Sequence, residues 1–404
     1  MKLTLQLIIA LFITNGMFAQ TENYWTKKAD FGGLKRERAV AFTVGNEAFV
    51  GTGIDTMEVV LDDFWKYDVT LDAWTQVASI PGSIRRNAVA FSIGNFGYVG
   101  TGMDFAVASD FGSSTLDDFW QYDPVGNLWS AKASYPGGFG GGLYFATGFA
   151  IGGKGYICGG KMGPNNYTSE FWEYDQSLDQ WAQLANFPGG VRYQLSSFTI
   201  DNVAYVGFGT DQDIYRKDIW AYDVTTSTWT AKNDFPASER ASSTTFTIGQ
   251  RGYVCMGANG GILDDLWQYN PFTDGWSVKA NYGGTARKNA IAFSLDGKGY
   301  VGIGKGYSGK KQSMWEYTPN TGLGLNENLI DLSIYPNPTS DYLHISSPVN
   351  TINAIELYSI TGKMVYSGEY NQTIDVRDLQ SGSYILFAKE ENGSVIAKHN
   401  FIIQ

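Results

Sequence analysis

The hexapeptide GYVGTG occupies residues 97–102, and near-copies of it recur five more times along the chain. They read AFVGTG, GYICGG, AYVGFG, GYVCMG and GYVGIG, and they begin at residues 48, 155, 204, 252 and 299. Each copy is an apolar run that ends in glycine, which is typical of a short buried strand followed by a tight turn. The recurrence predicts an array of repeated supersecondary units.

Each copy has the same neighbours. A phenylalanine lies seven residues before the aligned aromatic, at Phe42, Phe91, Phe149, Phe198, Phe246 and Phe293. A strand of the type DDFWKYD follows, with its tryptophan at Trp65, Trp120, Trp172, Trp220, Trp267 and Trp315. A last motif of the type AWTQVASIP carries Trp74, Trp129, Trp181, Trp229 and Trp276. The unit therefore predicts four antiparallel strands, which bury both faces only when units stack around an axis.

The two ends of the array complement each other. The sixth DDFWKYD-type strand, MWEYTPNTG from residue 314, has no tryptophan strand after it, whereas NYWTKKADF at 23–31 precedes the first repeat without a partner. Pairing the two would remove both exposed edges. The sequence thus predicts an all-β, six-bladed β-propeller over residues 20–320, closed by an N-terminal outer strand.

The unit resembles the Kelch repeat, because it combines a glycine-tipped strand, a Tyr and a Trp at fixed spacing, and an arginine before the first strand. The resemblance covers about three quarters of the chain and implies a β-propeller. The family's double glycine survives only as Gly159-Gly160, while other copies read Gly-Thr-Gly or similar.

Composition restricts the function classes. The 404 residues are 43% hydrophobic and 17% charged, which describes a folded protein, and the net charge is -11. Such a charge repels phosphate backbones, so nucleic acid is not an expected partner. The two cysteines, Cys158 and Cys255, fall at equivalent places in separate repeats, which predicts small buried thiols rather than a disulfide.

The N-terminus has the pattern of an export signal. Residues 1–19 open with Lys2, continue through an apolar stretch and end at the small residue Ala19. No later run reaches the roughly 18 consecutive apolar residues that a membrane helix needs. We therefore expect a signal peptide at 1–19, passage through the periplasm and no membrane span.

The repeat stops after a linker at 321–330, and residues 331–404 contain seven short alternating runs that predict a small β-sandwich. The segments YPNPTSDYLHI, IELYSITGKMVYSG, LQSGSYILFA and KHNFIIQ resemble the type A sorting domain of the type IX secretion system of Bacteroidetes-like bacteria. The resemblance implies that secretion machinery recognises residues 331–404 and delivers the protein to the outer surface or the medium. An accessory sandwich that binds carbohydrate is the alternative.

Two charged ladders follow the repeat. One consists of arginines thirteen residues before the aligned aromatic, at Arg36, Arg85, Arg192, Arg240 and Arg287, with Leu143 in the third copy. The other consists of carboxylates two residues before the inner tryptophan, at Asp63, Asp118, Glu170, Asp218 and Asp265, with Ser313 in the sixth copy. The arginines either form a cationic ring for an anionic ligand such as a uronic or sialic acid, or pair with the carboxylates, which we favour. Pairing within a unit would leave Glu170 and Arg287 without partners and make them the first functional candidates.

Signals for catalysis are sparse. Both histidines, His344 and His399, lie in the C-terminal segment, so the repeats offer no imidazole for a metal or a proton relay. This excludes a resemblance to Kelch-type copper-radical oxidases. The glycine-rich GGKGYICGG belongs to the strand register and not to a strand-to-helix phosphate loop, and DQD at 211–213 lacks the ligand order of a calcium loop. We expect no metal and no cofactor.

Loop aromatics offer a binding surface. The loop before the DDFWKYD-type strand is longest in the second unit, where Gly102 and Trp120 are 18 residues apart against 10 to 12 elsewhere. Long loops on rigid scaffolds commonly carry binding sites. The candidates for stacking on a sugar or a protein are Phe105, Phe111, Tyr167, Tyr215 and Tyr307.

The sequence therefore favours an exported, non-catalytic binding or adhesion module for a glycan or an extracellular protein, with the five ladder arginines, Glu170 and the loop aromatics as binding candidates. The alternative is a glycan-active enzyme like the propeller mutarotases that act on sialic acid. In that case Glu170 and Arg287 are the catalytic candidates.

Overall fold

The structure is a computed structural model that describes residues 23–105, 115–138, 141–212, 214–271, 273–319, 332–347, 352–359, 364–390 and 395–404. Over these residues the chain is all-β, with strands and turns and no helix. The predicted signal peptide at 1–19 and the predicted linker at 321–330 lie outside the described residues.

The repeats form six four-stranded antiparallel sheets, each named here by its order in the chain. The first sheet contains Val40–Val44, Glu47–Gly51, Phe64–Asp68 and Ala73–Val77. The second contains Val89–Ile93, Phe96–Gly100, Phe119–Asp123 and Leu128–Lys132. The third contains Thr147–Ile151, Lys154–Gly163, Asn166–Asp175 and Gln180–Gln183.

The remaining sheets repeat this order. The fourth contains Ser196–Ile200, Val203–Gly207, Ile219–Asp223 and Thr228–Lys232. The fifth contains Thr244–Ile248, Arg251–Ala258, Ile262–Asn270 and Gly275–Lys279. The sixth contains Ile291–Leu295, Lys298–Gly302, Met314–Thr318 and Tyr24–Lys28. Two-residue ribbons pair Arg36–Glu37 with Ile54–Asp55, Thr210–Asp211 with Ile214–Tyr215, and Lys305–Gly306 with Gly309–Lys310.

The fixed spacing of the aromatics reflects cross-strand pairing inside each sheet. Phe42 lies opposite Phe49 in the first sheet and Phe246 opposite Tyr253 in the fifth. Their rings stack at centroid distances of 5.2 Å and 4.9 Å. Such pairs add to the burial of apolar area, and they fix the register of the first two strands.

The N-terminal strand is the fourth strand of the sixth sheet. Tyr24–Lys28 pairs antiparallel with Met314–Thr318. Trp25 Nε1 donates a 3.0 Å hydrogen bond to the carbonyl of Ala280 at the end of the fifth sheet. The outer-strand Trp129 makes the same bond to Ala78 between the second and first sheets. Trp25 therefore takes the place of the tryptophan that the sixth repeat lacks.

The sheets form a closed ring. The first strand of each sheet contacts the first strand of the next, and Ile291–Leu295 of the sixth contacts Val40–Val44 of the first. The last glycine of each hexapeptide, here called the tip glycine, donates its N–H to the carbonyl of the next unit's residue in the arginine ladder, which is Leu143 in the third unit. Gly53 bonds to Arg85 at 2.8 Å, and Gly304 bonds to Arg36 at 2.8 Å between the sixth and first units. A Cβ on Gly53 would lie 2.7 Å from the carbonyl oxygen of Glu37, so this close approach requires glycine. The arrangement fits a β-propeller.

The C-terminal segment has a strand in each of its seven predicted runs. One sheet contains Ser333–Tyr335, Tyr342–Ser346 and Thr373–Asp375. The other contains Met364–Glu369, Ala354–Ser359, Gly382–Lys389 and Val395–Ile403. Leu343 of the first sheet and Leu357 and Leu386 of the second belong to one fully buried hydrophobic cluster. The two sheets therefore share a core.

Candidate functional site

The ladder arginines are buried inside the sheets. Arg36, Arg85, Arg192, Arg240 and Arg287 are each at most 2% exposed. In each one, Nη1 donates to the carbonyl sixteen residues further along, such as Thr52 for Arg36 at 2.9 Å and Ile303 for Arg287 at 2.9 Å. These acceptor residues have positive φ, 60° at Thr52 and 47° at Ile303. The arginines therefore hold the strained backbone at the glycine tip.

Four of the five arginines also form a forked ion pair with the carboxylate of their own unit. In the first, Arg36 Nη1 and Nη2 lie 2.5 Å and 2.8 Å from the two oxygens of Asp63. Arg85 pairs with Asp118, Arg192 with Asp218 and Arg240 with Asp265 in the same way. The guanidinium groups face inward and are not presented to a ligand, so a cationic capture ring does not describe them and pairing does.

The pKa is lowered in two of these carboxylates, those of Asp63 and Asp218. Burial raises the pKa of Asp63, but the hydrogen bonds and charge of Arg36, together with the 2.8 Å bond from Trp65 Nε1, outweigh it and hold that pKa below its usual value. The pKa of Asp218 is lowered in the same way, with burial opposed by Arg192 and Trp220.

Glu170 and Arg287 are the two exceptions, and they belong to different sheets. Glu170 of the third sheet accepts hydrogen bonds from Trp172 Nε1 at 2.9 Å and from the Gly138 N–H at 3.1 Å. Arg287, at the sixth sheet, donates to Ser313 Oγ at 3.2 Å and lies 4.8 Å from the ring centroid of Tyr282. Burial lowers the pKa of Arg287. The structure does not bring these two catalytic candidates together in one site.

The loop aromatics are spread over several units. Phe105 and Tyr307 are exposed, and the Tyr307 hydroxyl accepts a hydrogen bond from the Ile262 N–H at 2.9 Å. Tyr167 stacks on Tyr193 at 5.1 Å with an interplanar angle of 9°. Tyr215 lies in the ribbon beyond the fourth sheet. Phe111 lies outside the described residues.

A set of residues that the sequence analysis did not single out surrounds the axis at the end of the ring where the ladder residues lie. We name it the collar: Arg38, Asn87, Phe145, Gln194, Ser242 and Asn289. Each collar residue lies two positions after a ladder residue. Each also donates its N–H to the carbonyl of the preceding unit's collar residue, and the bond from Arg38 to Asn289, at 3.1 Å, closes the circuit.

Every collar residue has left-handed backbone geometry. The φ angles range from 53° at Asn289 to 62° at Arg38. The collar and the residue after each of its members line an open cavity of about 120 Å³ on the axis. A second cavity of about 300 Å³ lies between the first strands, lined in part by the side chains of Thr43, Ser92, Thr199, Thr247 and Ser294.

Charged groups converge beside the collar on the first two units. Arg86, which precedes Asn87, is 2% exposed and donates from Nε to the carbonyl of Phe105 at 2.6 Å. Burial first, and then the charge of Arg38, lower the pKa of Arg86 to about 10. Glu37 accepts a 2.7 Å hydrogen bond from Asn289 and lies 3.7 Å from Arg38 Nε.

Aromatic rings form the other side of the collar. The Arg38 guanidinium lies 5.3 Å from the centroid of Phe145, and the Phe145 ring lies 5.9 Å from that of Tyr193. Lys161 Nζ lies 5.3 Å from the centroid of Tyr167 and 4.9 Å from that of Tyr193. The collar thus combines cations, amides and aromatic faces, which are the groups that bind sugars and protein side chains.

Two family models match the chain. The Kelch motif matches residues 143–188, which contain the third sheet, and the secretion system C-terminal sorting domain matches residues 333–404. The chain is a Kelch-repeat protein with a C-terminal sorting domain. Both resemblances seen in the sequence are confirmed.

The Kelch-repeat region also resembles a solved structure. The chain titled "Structure of YjhT" matches with a TM-score of 0.59 at 14% sequence identity, over 70% of this chain and 95% of that one. At this identity the likeness shows the fold alone, and it fits a β-propeller. A search of curated proteins found no match.

The described part of this Kelch-repeat protein contains no helix long and apolar enough to cross a membrane. Within the same residues, no group of three or more His, Cys, Asp or Glu side chains is arranged to hold a metal ion.

The collar has no sequence signature within the Kelch repeat, and the reason is physical. A collar residue takes part in the fold through its backbone N–H and carbonyl, which every residue type except proline provides. The side chains therefore vary from Arg to Phe to Ser, and alignment of the repeats gives no signal at this position. The one available signal is the constant offset of two residues from the arginine ladder.

Proposed function

We propose that this protein is an exported six-bladed β-propeller that binds a glycan or an extracellular protein at its collar without catalysis. The six sheets are its blades over residues 20–320, and Tyr24–Lys28 is the strand that closes the ring. Residues 1–19 are a signal peptide, 321–330 a linker and 331–404 a sorting β-sandwich. The closed circuits of hydrogen bonds between sheets support this arrangement.

The backbone of the collar is the observation that carries the binding proposal. An L-residue in the left-handed region costs roughly 1–2 kcal/mol, a cost that glycine avoids. All six collar positions have this geometry, yet none is glycine. The collar differs from other left-handed positions such as Thr52 in that all six of its residues line one cavity, and backbone strain around a cavity is typical of functional sites.

The residue types of the collar favour binding over catalysis. Arginine, asparagine, glutamine, serine and phenylalanine do not exchange protons near neutral pH, so they provide no general acid or base. They do provide hydrogen-bond donors and acceptors and an aromatic face around one cavity. Glu170 is engaged by an indole and a backbone N–H in the third sheet, which supports a structural role for it.

The test uses glycine itself. Phe145→Gly and Gln194→Gly remove collar side chains while suiting the φ of 58° and 56°, so folding is expected to be preserved. The matched control is Asp201→Gly, at a φ of 51° in the exposed turn between Ile200 and Val203. Each full-length variant is screened on a glycan array and against extracellular proteins.

We expect the wild-type chain and Asp201→Gly to bind the same partners. The variant that combines Phe145→Gly and Gln194→Gly should bind these partners with at least tenfold lower affinity. Equal binding by the collar variant, with an unchanged melting temperature, would remove the collar from the function. Turnover of a bound glycan, detected by a change of anomer or linkage in the NMR spectrum, would favour the catalytic alternative instead.

The sorting domain supports delivery of this module to the cell surface or the medium. We propose that the secretion machinery recognises residues 331–404 after the chain has entered the periplasm. Deleting these residues should leave the propeller in the periplasm, measured by fractionation with an antibody to the repeats. Export that is unchanged by the deletion would contradict this role.

A further inference from the structure

Arg86 is a buried cation with unused hydrogen-bonding capacity. Its Nε donates to the Phe105 carbonyl at 2.6 Å, but its Nη2 is buried and has no hydrogen-bond partner among the described residues. A buried donor without a partner costs roughly 1–3 kcal/mol, and more for a charged group. Four ladder arginines differ from Arg86 in that each forms a forked ion pair with an aspartate.

A second guanidinium group has the same feature nearby. Arg38 Nε is also buried without a hydrogen-bond partner, and the charge of Arg38 acts on Arg86 to lower its pKa. The nearest carboxylate to Arg38, that of Glu37, is 3.7 Å away and is shared with Lys305 at 3.9 Å and Lys310 at 4.0 Å. The segments of Arg38 and Arg86 are adjacent, because the Asn87 N–H donates to the Arg38 carbonyl at 3.1 Å, and the second nearby carboxylate, that of Glu58, already pairs with Lys310 at 2.7 Å.

An anion at this place would satisfy both groups. An oxyanion accepts hydrogen bonds from guanidinium donors in a planar, often forked geometry, and it reduces repulsion between two cations. Arg38, Asn87 and Asn289 also line the cavity of about 120 Å³, which has room for a group of the size of a carboxylate. The amides of the two asparagines would add donors beside it.

The surroundings indicate what carries the anion. The Phe145 ring lies under the Arg38 guanidinium, and the Tyr193 and Tyr167 rings continue the aromatic surface outward. Aromatic faces pack against the C–H faces of sugar rings, and polar groups around them fix the orientation. An acidic sugar presents both a carboxylate and a ring face, the two features that adjacent arginine and aromatic groups recognise.

We propose that the collar binds a carboxylate-bearing sugar residue of an acidic polysaccharide, with the carboxylate between Arg38 and Arg86 and the sugar ring against Phe145. This inference rests on the proposed binding function of the collar and names its ligand class. Sulfate esters share the negative charge but differ in shape, so the experiment separates the two.

The probe is an oligogalacturonate, compared with its carboxyl-reduced neutral form and with a dextran sulfate of similar length. Calorimetry is carried out on the full-length wild-type protein, Arg38→Ala and Arg86→Lys. The matched control is Arg216→Ala, an arginine of the fourth unit that pairs with Asp211 at 3.5 Å and does not line the collar cavity.

We expect the wild-type protein and Arg216→Ala to prefer the oligogalacturonate over its reduced form by at least tenfold. Arg38→Ala should abolish this preference, and Arg86→Lys, which keeps the charge but loses the planar fork, should reduce it at least threefold. The ratio of affinities is the readout because a merely structural defect would weaken both oligosaccharides alike.

Three results would overturn the inference. These are equal affinity for the reduced form, stronger binding of dextran sulfate, and an unchanged preference in Arg38→Ala. If the chain then still binds another glycan or a protein that Phe145→Gly abolishes, the binding function of the collar stands without this ligand class. If the collar variants affect no partner at all, the proposed function itself fails.

Discussion

Arg287 donates a 3.2 Å hydrogen bond to Ser313 Oγ at the place where four equivalent arginines bind an aspartate. Its other contacts are carbonyl groups, such as that of Thr285 at 3.0 Å, and the ring of Tyr282. The guanidinium is 1% exposed, so its charge lies in the interior of the sixth sheet without an opposing carboxylate from the described residues. The sixth sheet thus lacks the ion pair that the neighbouring first and fifth sheets contain.

Ser313→Asp should therefore stabilise the protein. The equivalent Asp265 reaches Arg240 with two bonds of 2.7 Å, which shows that the local backbone accommodates an aspartate here. We expect an increase of about 1–2 kcal/mol in the free energy of unfolding at pH 7, since charged hydrogen bonds are worth somewhat more than neutral ones. Urea unfolding followed by tryptophan fluorescence measures it.

Ser313→Asn is the control for this change, because it has the same shape without the charge. The difference between the two variants should disappear as the pH falls through the pKa of the new carboxylate. An aspartate variant no more stable than the asparagine variant at pH 7 would show that the charge of Arg287 is already compensated.

Asp63→Ala should have the opposite effect. It leaves Arg36 buried without its carboxylate and removes the acceptor of Trp65, and breaking such a pair typically costs about 3–5 kcal/mol. The neighbouring Asp62, which contributes its backbone carbonyl to the Ile80 N–H, provides the matched Asp62→Ala control. A loss below 1 kcal/mol in Asp63→Ala would contradict the structural role of the ladder.

The same pairs predict the response to acid. The folded-state pKa of Asp63 and of Asp218 is below the usual value, so their contribution to stability is present above the unfolded-state pKa of about 3.9 and is lost as the pH falls through the folded-state pKa. We expect the free energy of unfolding to hold between about pH 5 and 8 and to decrease below pH 4. Replacing both residues with asparagine should make this decrease smaller. An equally large decrease in the double variant would show that Asp63 and Asp218 do not cause it.

The ladder shows how far the repeat alone can be taken. Arg36 and Asp63 recur at fixed offsets in the same units, so their pairing follows from the alignment, and the exceptions Leu143 and Ser313 are visible there too. The alignment does not reveal that the arginines are buried or that their Nη1 groups hold residues of positive φ. Those features depend on how the glycine tip bends, which the residue types alone do not specify.

The composition of the collar could not be predicted from the sequence. Arg38 and Arg86 belong to consecutive units but occupy different offsets, and no pattern in the sequence indicates that they interact. They come together because the sheets turn about an axis and bring the segments after each ladder residue to one end of it. Proximity between neighbouring units depends on how their sheets stack, so the residues proposed here to bind a ligand lie outside the set that periodicity selected.

Both cysteines should be unreactive in the folded protein. Cys158 and Cys255 are free and fully buried, and burial raises the pKa of both thiols, which removes the reactive thiolate at neutral pH. A chromogenic disulfide reagent at pH 8 should release no thiol from the native protein and two equivalents after denaturation in guanidinium chloride. Release of an equivalent within minutes from the native protein would contradict this burial.

Trp25 attaches the N-terminal strand to the fifth and sixth sheets. Trp25 bonds to the Ala280 carbonyl, and its ring lies 5.1 Å from those of Tyr282 and Tyr317. Trp25→Ala should therefore cost about 3 kcal/mol, because truncation of a packed tryptophan removes its apolar contacts as well as the hydrogen bond. The exposed Thr26 in the same strand supplies the control, Thr26→Ala, for which we expect a change within about 0.5 kcal/mol.

Deleting Tyr24–Lys28 removes the whole strand and not only one side chain. The deletion exposes the edge of Met314–Thr318 and separates the sixth sheet from the first, so both the melting temperature and the resistance to aggregation should fall. Adding back a synthetic peptide with the sequence of residues 23–31 should restore part of the lost stability, because its pairing partner is unchanged. A deletion variant that melts like the full-length protein would show that the ring is stable without this strand, and closure by the N-terminus would have to be abandoned.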